Sequence, residues 1–128
     1  MNRALVVTAA VVIASAIISG AIAAHALEKV LGPELQENWQ IAARYQMYGG
    51  FGLLIVALAA DKFHFRLRWF AAMLISGIVL FSGSLYAFCF KEIYPDLSFF
   101  SRPVPVGGML MIAAWILLIF QVLRKSHK

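Results

Sequence analysis

Eight polar or aromatic residues within or beside the long apolar runs of this chain could take part in binding chemistry. A histidine in such a place could titrate near neutral pH, and an arginine could hold a carboxylate or a phosphate. Burying a polar group in hydrocarbon costs free energy, so we expect each one to have a bonding partner or a functional role. We therefore predict a ligand-binding pocket that consists of His25, Arg44, Tyr45, Gln46, Tyr48, Ser82, Ser84 and Tyr86.

A purely structural interpretation of the same residues stays open. Arg44 could extend to the membrane interface or pair with Glu28, Glu37 or Glu92. His25 could do no more than hydrogen bond to a serine or a carbonyl group. In that case the polar residues hold helices together and bind nothing.

The residue types give little support to catalysis or metal binding. Cys89 is the single cysteine and has no CxxC partner. His25 is predicted at the opposite end of the molecule from His64 and His127, so it cannot share a metal or a haem with either of them. A serine nucleophile beside His25 is conceivable, but no acid or oxyanion motif accompanies it. We predict no catalytic residue, no metal, no cofactor and no enzyme.

The composition indicates which elements must position these residues. Hydrophobic residues make up 62% of the 128 and charged residues 13%, and a soluble domain of this size could not bury so much apolar surface. Four runs are long enough to cross about 30 Å of hydrocarbon, at residues 4–27, 41–60, 67–90 and 104–123. They lack the alternation of membrane strands. The chain is predicted to be one all-α domain, 1–128, an integral membrane four-helix bundle with no nucleic-acid partner.

The links between the runs contain helix-breaking and polar residues. Gly32 and Pro33 interrupt the first link, and the polar segment 34–40 is expected to extend the second helix outward. The longest loop, 91–103, contains Pro95 and ends at Pro103, with Pro105 close behind. Proline removes a backbone donor and restricts the residue before it, so no regular helix is expected through this loop.

Lysine and arginine counts predict the orientation in the membrane. If the amino terminus is inside, the inner segments hold seven of them and the outer segments four. The inner ones are Arg3, Lys62, Arg66, Arg68, Arg124, Lys125 and Lys128, and the outer ones are Lys29, Arg44, Lys91 and Arg102. The positive-inside rule then places both termini in the cytoplasm.

A cleaved signal peptide is an alternative for the first run. Arg3, the apolar stretch and small residues near Ala23 or Ala26 are typical of a secretory signal. The apolar run is longer than the usual 7–15 residues of such a signal. We therefore favour a first helix that stays in the protein.

Small residues predict where the helices approach closely. Helices in lipid have no hydrophobic driving force for association, so they depend on close packing. In the first run they recur at a spacing of four residues. The predicted packing positions are Ser15, Ser19, Gly20, Gly49, Gly52, Gly83, Gly107 and Gly108.

Four sequence blocks resemble those of the membrane proteins called domain of unknown function 423, which are similar to transmembrane protein 256. The blocks are Gly20-Ala-Ile-Ala-Ala-His25-Ala-Leu, Tyr45-Gln-Met-Tyr48, Phe81-Ser-Gly-Ser-Leu-Tyr86 and Pro105-Val-Gly-Gly108 with Trp115 beyond it. The resemblance implies an uncleaved first helix, four membrane helices and a bacterial cytoplasmic (inner) membrane location, with mitochondria for the eukaryotic relatives. It implies no reaction. In the family pattern a histidine commonly follows the second block, whereas this chain has Gly49.

Three function classes follow from these observations. The leading hypothesis is a structural or accessory protein that binds other membrane subunits or a second copy of itself. The second is a protein that binds or carries a lipid, a quinone or another small molecule in the polar pocket, near the outer leaflet. The third, which the sequence favours least, is an enzyme that acts on a lipid head group.

Overall fold

The computed structural model describes residues 1–126, and their regular secondary structure is all helical, with no strand. Helix α1 spans Arg3–His25, α2 Pro33–Leu58, α3 Arg68–Phe88 and α4 Pro103–Ser126. All four are long and apolar enough to cross a membrane. The prediction of an all-helical protein with four candidate membrane spans is confirmed for this part of the chain. His127 and Lys128, which entered the arguments above, lie outside the described residues.

The helix ends follow the local sequence. Helix α2 begins at Pro33 because proline suits the first helical position, where its missing N–H has no partner to lose. The polar segment 34–40 is part of this helix. In the long loop, Pro95–Ser101 forms a 3₁₀ helix, and Pro103 and Pro105 fall in the first turn of α4. Proline is tolerated there for the same reason as at Pro33.

Helix α3 contains a π-helical turn. Its α-helical parts are Arg68–Ile78 and Ser84–Phe88, and the wider turn Val79–Gly83 lies between them. Such turns are rare, and they change the direction in which the following side chains point. Here the turn contains Phe81 and Ser82, which contact the neighbouring helices.

The four helices share one core but are unequally buried. Helix α1 packs on α2, α2 on α3, and α3 on α4. The most apolar stretches of α2 and α3 are 39% and 44% buried, against 17% for those of α1 and α4. Most of these stretches of α1 and α4 therefore lie outside the core of the bundle. The shared core is built around Ala9, Leu53, Phe70, Leu74 and Ala114.

The start of α1 and the end of α4 lie at the same end of the bundle. The amino group of Met1 forms an ion pair with Asp61, in the link between α2 and α3. The backbone N–H of Asn2 donates to the carbonyl of Ala57 at 3.0 Å. We call this the Asp61 end. The opposite end, where α1 and α3 finish, is the His25 end.

Several glycines lie where two helices touch. A Cβ atom at Gly49 would stand 2.5 Å from Cδ1 of Ile78, and one at Gly52 would stand 2.5 Å from the indole of Trp115. A Cβ atom at Gly107 would overlap the backbone of α3. These three positions fix how closely α2, α3 and α4 approach.

Three other predicted packing glycines are in looser surroundings. A Cβ atom at Gly108 would meet the ring of Phe81 at an ordinary 3.6 Å. No atom lies within 4 Å of that position at Gly20 or Gly83. The helices therefore do not depend on the small size of Gly20 or Gly83.

Candidate functional site

Gln46 joins three helices through its side-chain amide, and it is the centre of the polar interior. Its Nε2 donates to the carbonyl of Val12 at 3.0 Å and to the hydroxyl of Ser15 at 2.6 Å, both on α1. Its Oε1 accepts a hydrogen bond of 2.7 Å from the hydroxyl of Tyr86 on α3. Both donor hydrogens and the acceptor oxygen of this buried amide are therefore engaged.

Further hydrogen bonds extend this interior network toward the His25 end. The indole of Trp39 donates to the carbonyl of Ser19 at 2.9 Å, and its ring lies 4.5 Å from that of Tyr86. The hydroxyl of Ser82 donates to the carbonyl of Ala42 at 2.8 Å. The thiol of Cys89 donates to a carbonyl of α2 at 3.3 Å. These groups bind other parts of the protein, so they hold α1, α2 and α3 together.

Two residues of the predicted pocket lie apart from this network. His25 is exposed in the last turn of α1, and its side chain has no hydrogen bond or ion pair with any residue in 1–126. Ser84 is buried in α3, but among those same residues no hydrogen bond links it to Gln46 or Tyr86. Nor does that part of the chain bring together three His, Cys, Asp or Glu residues that could hold a metal ion.

The other three residues, Arg44, Tyr45 and Tyr48, face a groove between α2 and α4 whose floor is α3. The groove has a volume of about 600 Å³. We call it the α2–α4 groove. Apolar side chains form most of its lining, namely Ile41, Leu74, Phe81, Met111, Ile112 and Trp115. Three of the predicted pocket residues thus belong to the interior network and three line an open groove at the surface, while His25 and Ser84 belong to neither.

One charged pair lies in the lining of the α2–α4 groove. Nη2 of Arg44 is 3.5 Å from Oε1 of Glu37, and the two side chains are 52% and 62% exposed. An ion pair that exposed contributes only about 0–1 kcal/mol. Arg44 lies roughly 16 Å along α2 from its first residue, at about 1.5 Å per residue. Its side chain extends back toward Glu37, nearer the start of α2.

Aromatic rings form much of the rest of the α2–α4 groove. The ring of Tyr45 packs on Phe81 at 5.2 Å and on Tyr48 at 5.7 Å. Trp115 closes the far end by lying against Gly52. The groove therefore has a charged end near Glu37 and an apolar end at Trp115.

Sequence reasoning missed two residues of this groove that a helical pattern could have indicated. Gly108, Met111, Ile112 and Trp115 recur at three- and four-residue intervals, which places them on one face of α4. Trp115 was noted only as part of a sequence block. Glu37 was considered only as one of three partners for Arg44.

Comparison with known proteins assigns the chain to a family. A family model described as "Protein of unknown function (DUF423)" matches residues 19–108, more than half of the chain. The chain belongs to the DUF423 family. The resemblance seen in its sequence blocks is thereby confirmed. The matched region includes Arg44, Gln46, Tyr86 and Gly108, and so contains much of the groove and the part of the interior network that lies on α2 and α3.

Individual relatives are described as membrane proteins. The UPF0382 membrane protein of Staphylococcus haemolyticus is 35% identical over 106 residues, 83% of this chain and 84% of the relative. The UPF0382 membrane protein YwdK of Bacillus subtilis is 33% identical over 110 residues, 82% and 84% of the two chains. The UPF0382 inner membrane protein YgdD of Escherichia coli is 32% identical over 111 residues, 85% and 81%. No solved structure matches.

Proposed function

We propose that this DUF423 protein binds a membrane phospholipid in the α2–α4 groove, with an acyl chain along the apolar walls and a phosphate at Arg44. The observation that carries the proposal is a groove of about 600 Å³ with apolar walls and its charged pair at one end. Ligand sites commonly enclose about 300–1,000 Å³. The proposed activity is binding, with no chemical reaction.

The position of the groove favours a ligand from the bilayer. It lies between two candidate membrane spans, and exposed side chains such as Tyr48 and Ile112 line it. A molecule could therefore enter sideways from the lipid. From Arg44 to the level of Gly52 the groove follows α2 for about 12 Å, at about 1.5 Å per residue. That length accommodates part of an acyl chain.

The charge at the groove favours a phosphate over a quinone. A guanidinium group offers paired N–H donors that match phosphate oxygens, and a charge-assisted bond is stronger than one to a neutral carbonyl. The weak bond of Arg44 to Glu37 leaves the arginine free to change partners. Glu37 therefore acts as a competitor that a bound phosphate displaces.

Charge-neutralising substitutions test this assignment. Arg44→Gln should lower the affinity for phosphatidylglycerol roughly tenfold, because a hydrogen bond to a charged group contributes about 1.5–3 kcal/mol. Glu37→Gln should raise it, because the competitor is removed. The affinities are measured by native mass spectrometry of protein titrated with this lipid in mild detergent.

The matched control is Arg102→Gln. Arg102 lies at the same end of the bundle, with its guanidinium 5.6 Å from the ring of Phe99, and does not line the groove. Its loss removes the same charge and should change the affinity less than threefold. Equal losses for Arg44→Gln and Arg102→Gln, or a fall in affinity with Glu37→Gln, contradict phosphate binding at Arg44.

An accessory role in a larger membrane assembly is the second candidate. It is favoured by the exposure of α1 and α4, whose most apolar stretches are only 17% buried. The partner would be another membrane subunit or a second copy of this chain. Extraction from native membranes at endogenous level should then give a complex of fixed stoichiometry. A species that stays solitary under those conditions contradicts this role.

We also propose that the protein lies in a bacterial cytoplasmic membrane with both termini in the cytoplasm. The excess of lysine and arginine at the Asp61 end supports this orientation. The name of the Escherichia coli relative, an inner membrane protein, supports the location but not the orientation. The charged end of the α2–α4 groove then faces the outer leaflet.

Cysteine labelling tests the orientation with little background, because Cys89 is fully buried. Asp96→Cys and Lys62→Cys place exposed thiols in loops at the two ends of the bundle. An impermeant maleimide added to intact spheroplasts should label Asp96→Cys and label Lys62→Cys only after lysis. The reverse pattern contradicts the orientation.

A further inference from the structure

A second groove lies at the Asp61 end, between the start of α1 and the first turns of α3. Its volume is about 580 Å³. Its walls include the apolar side chains of Leu5, Ala72 and Ile75, and two arginines, Arg66 and Arg68, also line it. We call it the α1–α3 groove. It is distinct from the α2–α4 groove and shares no lining residue with it.

The two arginines of this groove have no carboxylate partner in the part of the chain that the structure describes. Asp61 is the only acidic residue between positions 38 and 91, and the amino group of Met1 forms an ion pair with it. Arg66 and Arg68 are both exposed. The groove therefore combines an apolar wall with two positive charges that no carboxylate of residues 1–126 neutralises.

An exposed tryptophan beside Arg68 indicates that this groove lies at the level of lipid head groups. The guanidinium of Arg68 lies 5.5 Å from the ring of Trp69, which is 63% exposed. Exposed tryptophan beside arginine is typical of a membrane–water interface. Helix α3 continues from this point as a candidate span. A molecule in the groove would have one end among head groups and the other in hydrocarbon.

We propose that the α1–α3 groove binds an anionic phospholipid, with its phosphate at Arg66 and Arg68 and an acyl chain against Leu5, Ala72 and Ile75. We choose an anionic lipid on the basis of charge complementarity, because two unpaired cations attract a net negative head group more than a zwitterionic one. The apolar wall accounts for binding a lipid and not a free anion. The site stands independently of the lipid site at Arg44.

The test measures phosphatidylglycerol binding by native mass spectrometry in an Arg44→Gln background, so that the other groove contributes little. Arg66→Gln with Arg68→Gln should lower the affinity at least tenfold, because loss of the charge-assisted hydrogen bonds from even one guanidinium to the phosphate weakens binding roughly tenfold. The matched control, Lys62→Gln with Arg124→Gln, removes two exposed charges outside the groove lining. It should change the affinity less than threefold.

A steric variant tests the same groove without changing any charge. Ala72 is exposed and lines the groove, so Ala72→Phe should fill it and lower phosphatidylglycerol affinity at least fivefold. Ala14→Phe, on an exposed face of α1 away from the groove, should have no such effect. Phosphatidylcholine should bind more weakly than phosphatidylglycerol and respond little to the charge variants.

Three results would overturn the proposal. Equal losses in the groove and control charge variants would show diffuse attraction to the basic end. Full affinity in Ala72→Phe would show that no acyl chain occupies the groove. Competition by inorganic phosphate at millimolar concentration, equal to that by phosphatidylglycerol, would assign the arginines to a free anion.

Discussion

Replacing Gly107 with alanine should cost at least about 3 kcal/mol of stability and separate α4 from α3. The added methyl group would stand 2.8 Å from the carbonyl oxygen of Gly77 and from the carbonyl carbon of Leu80, and closer still to the backbone N of Phe81. Backbone atoms cannot rotate away as a side-chain end can. The helices must therefore move apart, and the contacts along their interface weaken together.

The adjacent glycine gives a matched control for this prediction. At Gly108 the added methyl group would meet only the ring of Phe81, at 3.6 Å. Gly108→Ala should be neutral, or should stabilise the helix by up to about 1 kcal/mol, because alanine loses less backbone entropy than glycine. Unfolding followed by circular dichroism in mixed detergent micelles compares the two variants. Equal stability of Gly107→Ala and Gly108→Ala contradicts the observed helix crossing.

Replacing Gln46 with leucine should have the second largest effect, a loss of about 2–4 kcal/mol. Interhelical hydrogen bonds in membranes contribute on average about 0.6 kcal/mol and at most about 1.7 kcal/mol each. The substitution removes three of them and leaves the hydroxyl of Tyr86 without its acceptor. Helix α2 then loses two hydrogen bonds to α1 and one to α3.

A double-mutant cycle shows whether this loss comes from the network. Tyr86→Phe alone removes one hydrogen bond and should cost about 1 kcal/mol. In a Gln46→Leu background the same change should cost almost nothing, because the bond is already absent. Micelle unfolding supplies all four free energies. Costs that simply add would show that Gln46 and Tyr86 act separately.

The sequence predicted most of the fold because hydrocarbon imposes strict conditions on it. An apolar run that long can satisfy its backbone only as a helix, so the four spans were readable from composition. An even number of spans also places the start of the first helix and the end of the last at one end. The outward extension of α2 through 34–40 followed from Pro33 and the polar residues after it.

The candidate site was predicted only in part. The position of a residue along a span gives its depth in the membrane, but it does not give the direction in which its side chain points. Arg44 and Gln46 are two residues apart, yet one borders an open groove and the other is buried against α1. Ser82 and Ser84 are also two residues apart and both are buried, but only Ser82 donates a hydrogen bond to α2. The π turn at Val79–Gly83 sets these directions in α3, and no residue pattern indicated it.

The two proposed lipid sites lie at opposite ends of the molecule. The charged pair of the α2–α4 groove is at the His25 end, and the arginines of the α1–α3 groove are at the Asp61 end. In the proposed orientation one faces the outer leaflet and the other the inner leaflet. Lipid bound at both would fix the depth and tilt of the protein by contacts on either side of the membrane.

Photo-crosslinking from α4 tests the central claim, that the α2–α4 groove holds a lipid, most directly. A benzoylphenylalanine at Ile112 lies in the groove lining, whereas one at Ile119 lies on a similarly exposed part of α4 outside it. After exhaustive detergent washing, illumination should attach a phospholipid at position 112 and not at position 119. Adding Gly108→Phe, which fills the groove, should abolish the adduct. Equal adducts at the two positions, or an adduct at 112 that persists with Gly108→Phe, would contradict a lipid site in this groove.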